Sequence, residues 1–440
     1  MLVDLLDEAS GAADAIALVS DDTRWTYAEL DWAVTERASK LRANGVQAGH
    51  IVPVTVEATA DSVIHLLALW RAGVTPAPLH SRLTHTERDT ASAALAGRSS
   101  EAQVVLWTSG TEGRPRGVEI SFRSLAASAR AAQQRLDLRA DDVWMASLSH
   151  AHVGGLALVT RALLLGGRLV AVGPFDAART SELIDGMDLP GGTDAPVTHL
   201  SVVPTQLHRL LETRNGRPPL ESFRCALVGG ARAPTQLVRS ALEAGWPLAL
   251  TYGLTEATSQ VATAPPELTR RKPGSVGSAL DGVDLRIGER DEILVRGATL
   301  AMGYVGADAE DMVDPEGWHH TGDLGLLDAD GHLWVTGRRT DRIVTGGVTV
   351  DAVEVEEALR SHASVADACV VGLPDAEWGE RVAAWVVPAG GELDLDELSA
   401  FLRAYLSGPK LPRVFRVSEQ LPRNANGKVD RVAVRKGVAG

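Results

Sequence analysis

The densest set of groups able to hold a polyanion lies in VVLWTSGTEGRPRGVEIS, residues 104–121. Strand-forming Val104 to Trp107 lead into a loop of hydroxyls, glycines and arginines, and the chain resumes at Val118, Glu119 and Ile120. Gly110, Gly113 and Gly117 permit positive φ and let backbone N–H groups approach a ligand closely. Thr108, Ser109 and Thr111 add hydroxyl donors, while Arg114 and Arg116 add charge that pairs with phosphate oxygens. No Gly-Lys-Ser/Thr follows at the Walker spacing, so this is not a P-loop of that kind. A polar turn between two strands explains the same residues, and the choice depends on the rest of the chain.

Four further stations carry matching chemistry. Val228-Gly229-Gly230-Ala231 follows a strand, where a flat ring can lie on bare backbone, although a tight strand–helix turn uses the same residues. Thr251-Tyr252-Gly253-Leu254-Thr255-Glu256 brings together an aromatic that can stack on a base, a glycine, hydroxyls and a carboxylate able to hold Mg²⁺ against phosphates. The plainer alternative is a buried tyrosine and a surface glutamate. Trp318 to Asp323 ends in one carboxylate suited to two ribose hydroxyls, and Arg338 is a fixed cation nearby. His319 and His320 invite a zinc site, but neighbours on a strand face opposite ways, so the pair argues against one. Pro422 to Arg431 is a turn-rich loop bearing Lys428, which by itself reads as an ordinary surface lysine.

The elements that position these stations alternate between strand and helix. Strands are expected at 15–19, 24–26, 51–56, 143–146, 168–172, 198–203, 225–228 and 248–252. Helices are expected after the Thr26/Glu29 capping box and at 62–71, 123–136 and 156–165, with more after Pro204 and Pro234. This order implies a parallel sheet covered by helices, with ligands beyond the C-terminal ends of its strands. After Gly274 short strands and turns indicate a β-rich subdomain. From about residue 340 a smaller α+β unit follows, with helices near 352–360 and 395–405. The expected domains are 1–339 and 340–440, joined by a short hinge.

Length and composition agree. A chain of 440 residues exceeds one core, and 45% apolar with 23% charged residues is ordinary for a soluble globular protein. The net charge of −14 argues against nucleic-acid or anionic-membrane binding. Cys225 and Cys369 are too few and too distant for a disulfide framework or a cysteine metal cluster. The first residues lack a basic n-region, and Gly154 to Val172 carries Arg161 and Arg168. Neither a secretory signal nor a membrane span is read, and a cytoplasmic place is expected.

Taken together, TSGTEGRPRGV, TYGLTEATSQ, HTGDLG, GRRTDRIVTGG with VDAVEVEEAL, and PRNANGKVDR resemble in order and spacing the core motifs of the adenylate-forming superfamily. That superfamily includes acyl-CoA synthetases, luciferases and peptide-synthetase adenylation domains. The resemblance implies two half-reactions: a carboxylate attacks the α-phosphate of ATP, then a thiol attacks the acyl-adenylate and AMP leaves. It implies that Thr108, Ser109, Gly110, Thr111 and Arg116 hold the outer phosphates and that Glu256 binds Mg²⁺. Tyr252 and Gly229, Gly230 and Ala231 would sandwich adenine, with Gly253 and Thr255 beside them. Asp323 and Arg338 would fix the ribose, and Lys428 would meet the charge built up in the first step. The small domain would then turn about Thr340, and Gly346-Gly347 would line the coenzyme A tunnel. Three departures stand out: Glu112-Gly113 replaces Thr-Gly, Arg116 replaces a lysine, and Thr340 replaces the hinge Asp or Lys.

The segments around His152, Ser201 to Leu207 and Thr255 to Gln260 resemble the subgroup of CoA ligases that takes o-succinylbenzoate, an aromatic keto-diacid of menaquinone biosynthesis. This implies an acid pocket with His152 as a wall and Ser201, Thr205, Thr258, Ser259 and Gln260 as polar contacts. A structural histidine and helix capping by Thr205 and Gln206 are the alternatives. A ligase for another aryl or short-chain acid, a carrier-protein loader, and an inactive nucleotide-binding regulator are the rival functions. A homodimer stays open.

Overall fold

The computed structural model describes residues 2–108, 116–187, 195–306, 312–391, 393–424 and 427–439. An eight-stranded sheet forms the largest layer, running Ser259–Ala264, Leu248–Leu254, Cys225–Val228, His199–Val202, Val143–Met145, Arg168–Val170, Ile16–Val19 and Arg24–Thr26. The six inner strands are parallel, and the two edge strands run antiparallel to their neighbours.

Successive side chains leave such a sheet on opposite faces, so a strand buried on both sides reads as a continuous apolar run. Cys225 and Leu227 join a core with the helices Tyr27–Ala43, Ala60–Arg71, Phe122–Leu136 and Val153–Leu164. Ala226 and Val228 join the opposite core, with Pro204–Arg214 and Thr235–Glu243. The expected capping box is present: Thr26 accepts from the backbone of Glu29, whose carboxylate reaches back. The apolar stretch 154–172 resolves into a helix, a Gly166-Gly167 turn and a strand. Among the described residues no helix is long and apolar enough to cross a membrane.

Smaller sheets complete the large part. Val104–Thr108 and Arg116–Ile120 form an antiparallel pair extended by Gly303–Tyr304. Val283–Ile287, Glu292–Gly297, His319–Leu327 and Leu333–Arg338 form the antiparallel β-rich region expected after Gly274. From Arg342 a five-stranded sheet with its own core packs against Ala352–Arg360, Leu395–Leu402 and Arg431–Ala439. The helices His85–Leu95, Ala177–Ile184 and Arg431–Ala439 and the strand Thr75–His80 are additions to the expected elements. The strand holds two prolines and the first helix is mostly exposed, which weakens any apolar period.

Candidate active site

Three stations that are far apart in sequence meet at the end of the large sheet. Asp323 and Arg338 are Cα partners on adjacent antiparallel strands. Arg338 Nε donates to Asp323 Oδ1 at 2.6 Å, and the Tyr252 hydroxyl donates to Asp323 Oδ2 at 2.8 Å. Burial, reinforced by the Asp323 charge, pushes the Tyr252 pKa well above its ordinary value, so the phenol stays a donor. A carboxylate offers about four lone-pair sites. Two are used here, leaving capacity for two ligand hydroxyls.

Gly229, Gly230 and Ala231 follow Cys225–Val228, one strand over from Tyr252. The bare backbone at Gly253 has a structural cause: a Cβ there would sit 1.8 Å from the Ser259 carbonyl oxygen, at an irregularity between the paired strands. The chain's own close approach, rather than a ligand, accounts for that glycine.

Glu256 lies in the short 3₁₀ turn Thr255–Ala257, and its backbone carbonyl accepts from Ala301 N at 2.8 Å. Its carboxylate accepts from the Tyr304 hydroxyl at 3.3 Å, and Arg116 stands 5.3 Å from the Tyr304 ring centroid. Burial, then the Glu256 charge, pushes the Tyr304 pKa up to about 12. Tyr304 thus joins Arg116 to Glu256, a link that no local sequence signal announced. Arg116 faces Thr108 across the hairpin. Ser109, Gly110 and Thr111, with Glu112, Gly113 and Arg114, lie outside the described residues. One carboxylate with the Tyr304 hydroxyl beside it suits Mg²⁺, which favours oxygen donors and completes its shell with phosphates and water.

Lys428 arrives from the C-terminal unit. It is exposed to solvent, with enough protein around it to disfavour its charge. Burial, then the charge of Arg338, lowers its pKa, opposed by Asp323 and Glu256. Lys428 is therefore within electrostatic reach of both the Asp323–Arg338 pair and Glu256. Gly346 and Gly347 form the exposed turn between Arg342–Thr345 and Val348–Asp351, at φ +56 and +79. Thr340 is exposed in the 3₁₀ turn Arg339–Asp341.

The acid-pocket set divides. His152 is the N-cap residue of Val153–Leu164, and its ring centroid lies 5.4 Å from that of His80. Ser201 is buried on its strand and Thr205 is the second residue of Pro204–Arg214. Of the two expected capping residues it is Gln206 that caps the helix, accepting from Val203 N at 3.0 Å and donating to Ser147 O at 3.1 Å. Thr258 and Ser259 adopt φ of 51° and 92°, a strained pair for non-glycine residues. The Thr258 hydroxyl is buried with no hydrogen-bond partner among the described residues. Gln260 departs from its expected place as a ligand contact. Its amide is committed inward, accepting from Arg161 at 2.8 Å and donating to Thr263 Oγ1 at 2.8 Å. The two histidines do face apart: buried His319 donates to Met312 O at 2.7 Å, while His320 is exposed.

This architecture is that of an AMP-binding enzyme: residues 5–96 and 93–305 match the AMP-binding enzyme family and residues 354–428 its C-terminal domain, and the chain belongs to that family. Within it, the chain is 32% identical over 479 residues to the 2-succinylbenzoate–CoA ligase of Bacillus cereus (strain ATCC 14579), an alignment covering 98% of this chain and 97% of the relative. The solved o-succinylbenzoate CoA synthetase (MenE) from Bacillus subtilis, in complex with the acyl-adenylate intermediate OSB-AMP, superposes with TM-score 0.88 at 29% identity, covering 98% of this chain and 97% of that one. A double mutant of the same enzyme bound to the product analogue OSB-NCoA gives 0.70 at 29% identity, covering 99% and 97%.

Proposed function

We propose that this chain is an ATP-dependent acid–CoA ligase whose acid is o-succinylbenzoate, converted through an acyl-adenylate to o-succinylbenzoyl-CoA. The observation that supports the reading is the hydrogen-bonded cluster of Tyr252, Asp323 and Arg338, with Lys428 within electrostatic reach of it and of Glu256. The closer superposition on the acyl-adenylate complex than on the product-analogue complex supports an arrangement suited to the first half-reaction.

In that half-reaction a carboxylate oxygen forms a bond to the α-phosphorus, and the bond from that phosphorus to the bridging oxygen breaks, releasing pyrophosphate. Two anions must meet, so placement and charge neutralisation carry the step. Asp323 and Arg338 hold the ribose end, Tyr252 and Gly229 to Ala231 enclose the base, and Arg116 faces the outer phosphates. Mg²⁺ at Glu256, when bound, neutralises phosphate charge. Lys428 supplies a compact cation where charge accumulates and leaves with its loop. In the second half-reaction the thiol sulfur bonds to the acyl carbon and AMP leaves, with Gly346 and Gly347 lining the approach of coenzyme A and Thr340 as pivot. The division at 339/340 follows from that pivot, and a cytoplasmic place follows from where such substrates are found.

The test is incubation of the purified protein with ATP, Mg²⁺, CoA and a panel of aryl and short-chain acids, with mass detection of the thioester. o-Succinylbenzoyl-CoA as the dominant product is expected. A different dominant acid overturns the substrate assignment. Pyrophosphate release without thioester, rescued by a carrier protein, overturns CoA as acceptor. No acid-dependent pyrophosphate release returns the chain to the nucleotide-binding regulators.

A further inference from the structure

Arg431 opens the last helix, three residues after Lys428. Its guanidinium makes three different attachments. One amino group donates to Val370 O at 2.6 Å, the other to Glu356 Oε1 at 2.7 Å, and Nε lies 3.1 Å from Asp341 Oδ2. Glu356 is 4% exposed and also accepts from Val370 N at 2.9 Å, so the first two contacts belong to the interior of the small unit. The third is different. Asp341 closes the 3₁₀ turn Arg339–Asp341, which directly follows Arg338.

The Lys428 loop stands on this foundation. Asp430 N donates to Pro422 O at 2.9 Å, Asn424 N to Lys428 O at 2.8 Å, and Lys428 N to Asn424 Oδ1 at 3.1 Å. A continuous path therefore runs from the ribose-side pair Asp323–Arg338, through the turn to Asp341, across to Arg431, and up three residues to Lys428. Lysine has a flexible four-carbon stem, so its ammonium is placed only as well as its backbone is. A misplacement of about 1 Å at a reacting centre can lower the rate about 100-fold.

We propose that the Asp341–Arg431 ion pair is a positioning contact that ties the Lys428 loop to the pivot turn, and so sets where Lys428 stands relative to the Asp323–Arg338 pair in the first half-reaction. This rests on the ligase reading above. Neither residue touches substrate: Arg431 acts through the loop it carries, and Asp341 through the turn that follows Arg338.

The experiment uses the full-length chain with Asp341→Asn, a near-isosteric change at a side chain that is 22% exposed. It measures o-succinylbenzoate-dependent ATP–pyrophosphate exchange, and separately the conversion of supplied acyl-adenylate and CoA to thioester. The expected result is an exchange kcat lowered about tenfold, an ATP KM within about twofold, an unchanged second half-reaction and partial recovery in Asp341→Glu. Arg431→Lys, which keeps one charge but cannot span Glu356 and Asp341 together, is expected to show the same split. Unchanged exchange in Asp341→Asn, or equal loss in both half-reactions, overturns the positioning role. Wild-type protein with no acid-dependent exchange overturns the ligase reading itself, a result distinct from either.

Discussion

Asp323 receives Arg338 Nε at 2.6 Å on one oxygen and the Tyr252 hydroxyl at 2.8 Å on the other. The carboxylate is thereby fixed before any nucleotide arrives, so its remaining lone pairs point in set directions. Asp323→Asn keeps the shape but replaces one acceptor oxygen with a donor facing Arg338 or Tyr252. A charge-assisted hydrogen bond contributes about 1.5–3 kcal/mol, and about 1.4 kcal/mol is tenfold in affinity. The expected outcome is an ATP KM raised roughly 10–100-fold with a smaller change in kcat, read from initial rates over an ATP series. A lowered kcat at unchanged KM would place Asp323 in the chemistry instead.

Lys428 and Gly347 should separate the two half-reactions. Lys428→Ala is expected to lower acid-dependent pyrophosphate exchange by about 10²–10³-fold, by analogy with the loss of an oxyanion donor, while supplied acyl-adenylate still becomes thioester. Gly347→Leu is expected to do the reverse. At Gly347 φ is +79, so leucine also strains the backbone by roughly 1–2 kcal/mol. Gly331→Leu, at φ +75 with nothing within 4 Å of its added Cβ, is the matched control for strain. Equal loss of thioester formation in both leucine variants would remove the tunnel assignment.

Burial and the Arg338 charge lower the Lys428 pKa. The ammonium therefore loses its proton at lower pH than an exposed lysine, and the first half-reaction loses its cation as pH rises. The alkaline limb of the exchange rate should fall below the usual lysine range. Lys428→Arg, whose guanidinium stays charged, should be slower but should lack that limb. A wild-type profile with no alkaline limb up to the usual lysine range would contradict this role for the ammonium.

Much of this was legible because the chemistry sits in short contiguous runs. Tyr252, Asp323, Arg338 and Lys428 each occupy a motif whose neighbours announce a turn after a strand, and apolar runs such as 225–228 gave the parallel sheet. Tyr304 was not legible. Its link between Arg116 and Glu256 exists only because Gly303–Tyr304 pairs with Arg116–Ile120, and long-range pairing leaves no local trace. Gln260 misled for the same reason: its partner Arg161 is a helical residue remote in sequence. The φ values at Thr258 and Ser259 were equally hidden, since nothing in Ala257-Thr258-Ser259 departs from ordinary composition.

His150 is fully buried, and burial holds its pKa at about 4 against an ordinary 6.5. His199 is held at about 3 by burial, then by the charges of Arg224 and Arg161. In both cases the unfolded chain binds the proton more tightly. Stability from the neutral rings is complete above about pH 6.5 and falls as pH drops toward 4. His150→Phe should flatten the fall in unfolding temperature between pH 7 and 5. An unchanged slope would mean that His150 does not contribute to acid unfolding.

Arg232, just past Gly230-Ala231, meets Glu357 of the helix Ala352–Arg360 at 2.9 Å, joining the large part of the chain to the small one. The side chains are 42% and 34% exposed. A pair so placed contributes about 0.2–1 kcal/mol, and less at high salt. That is too little to hold the unit shut but enough to bias an alternation between two arrangements. Glu357→Arg is expected to slow the first half-reaction about two- to fivefold at low salt, with the effect fading at high ionic strength. Adding Arg232→Glu should restore the rate by re-forming the pair with its charges exchanged. If the double variant is as slow as the product of the two single ones, the residues act independently and the contact does not bias the approach of Lys428.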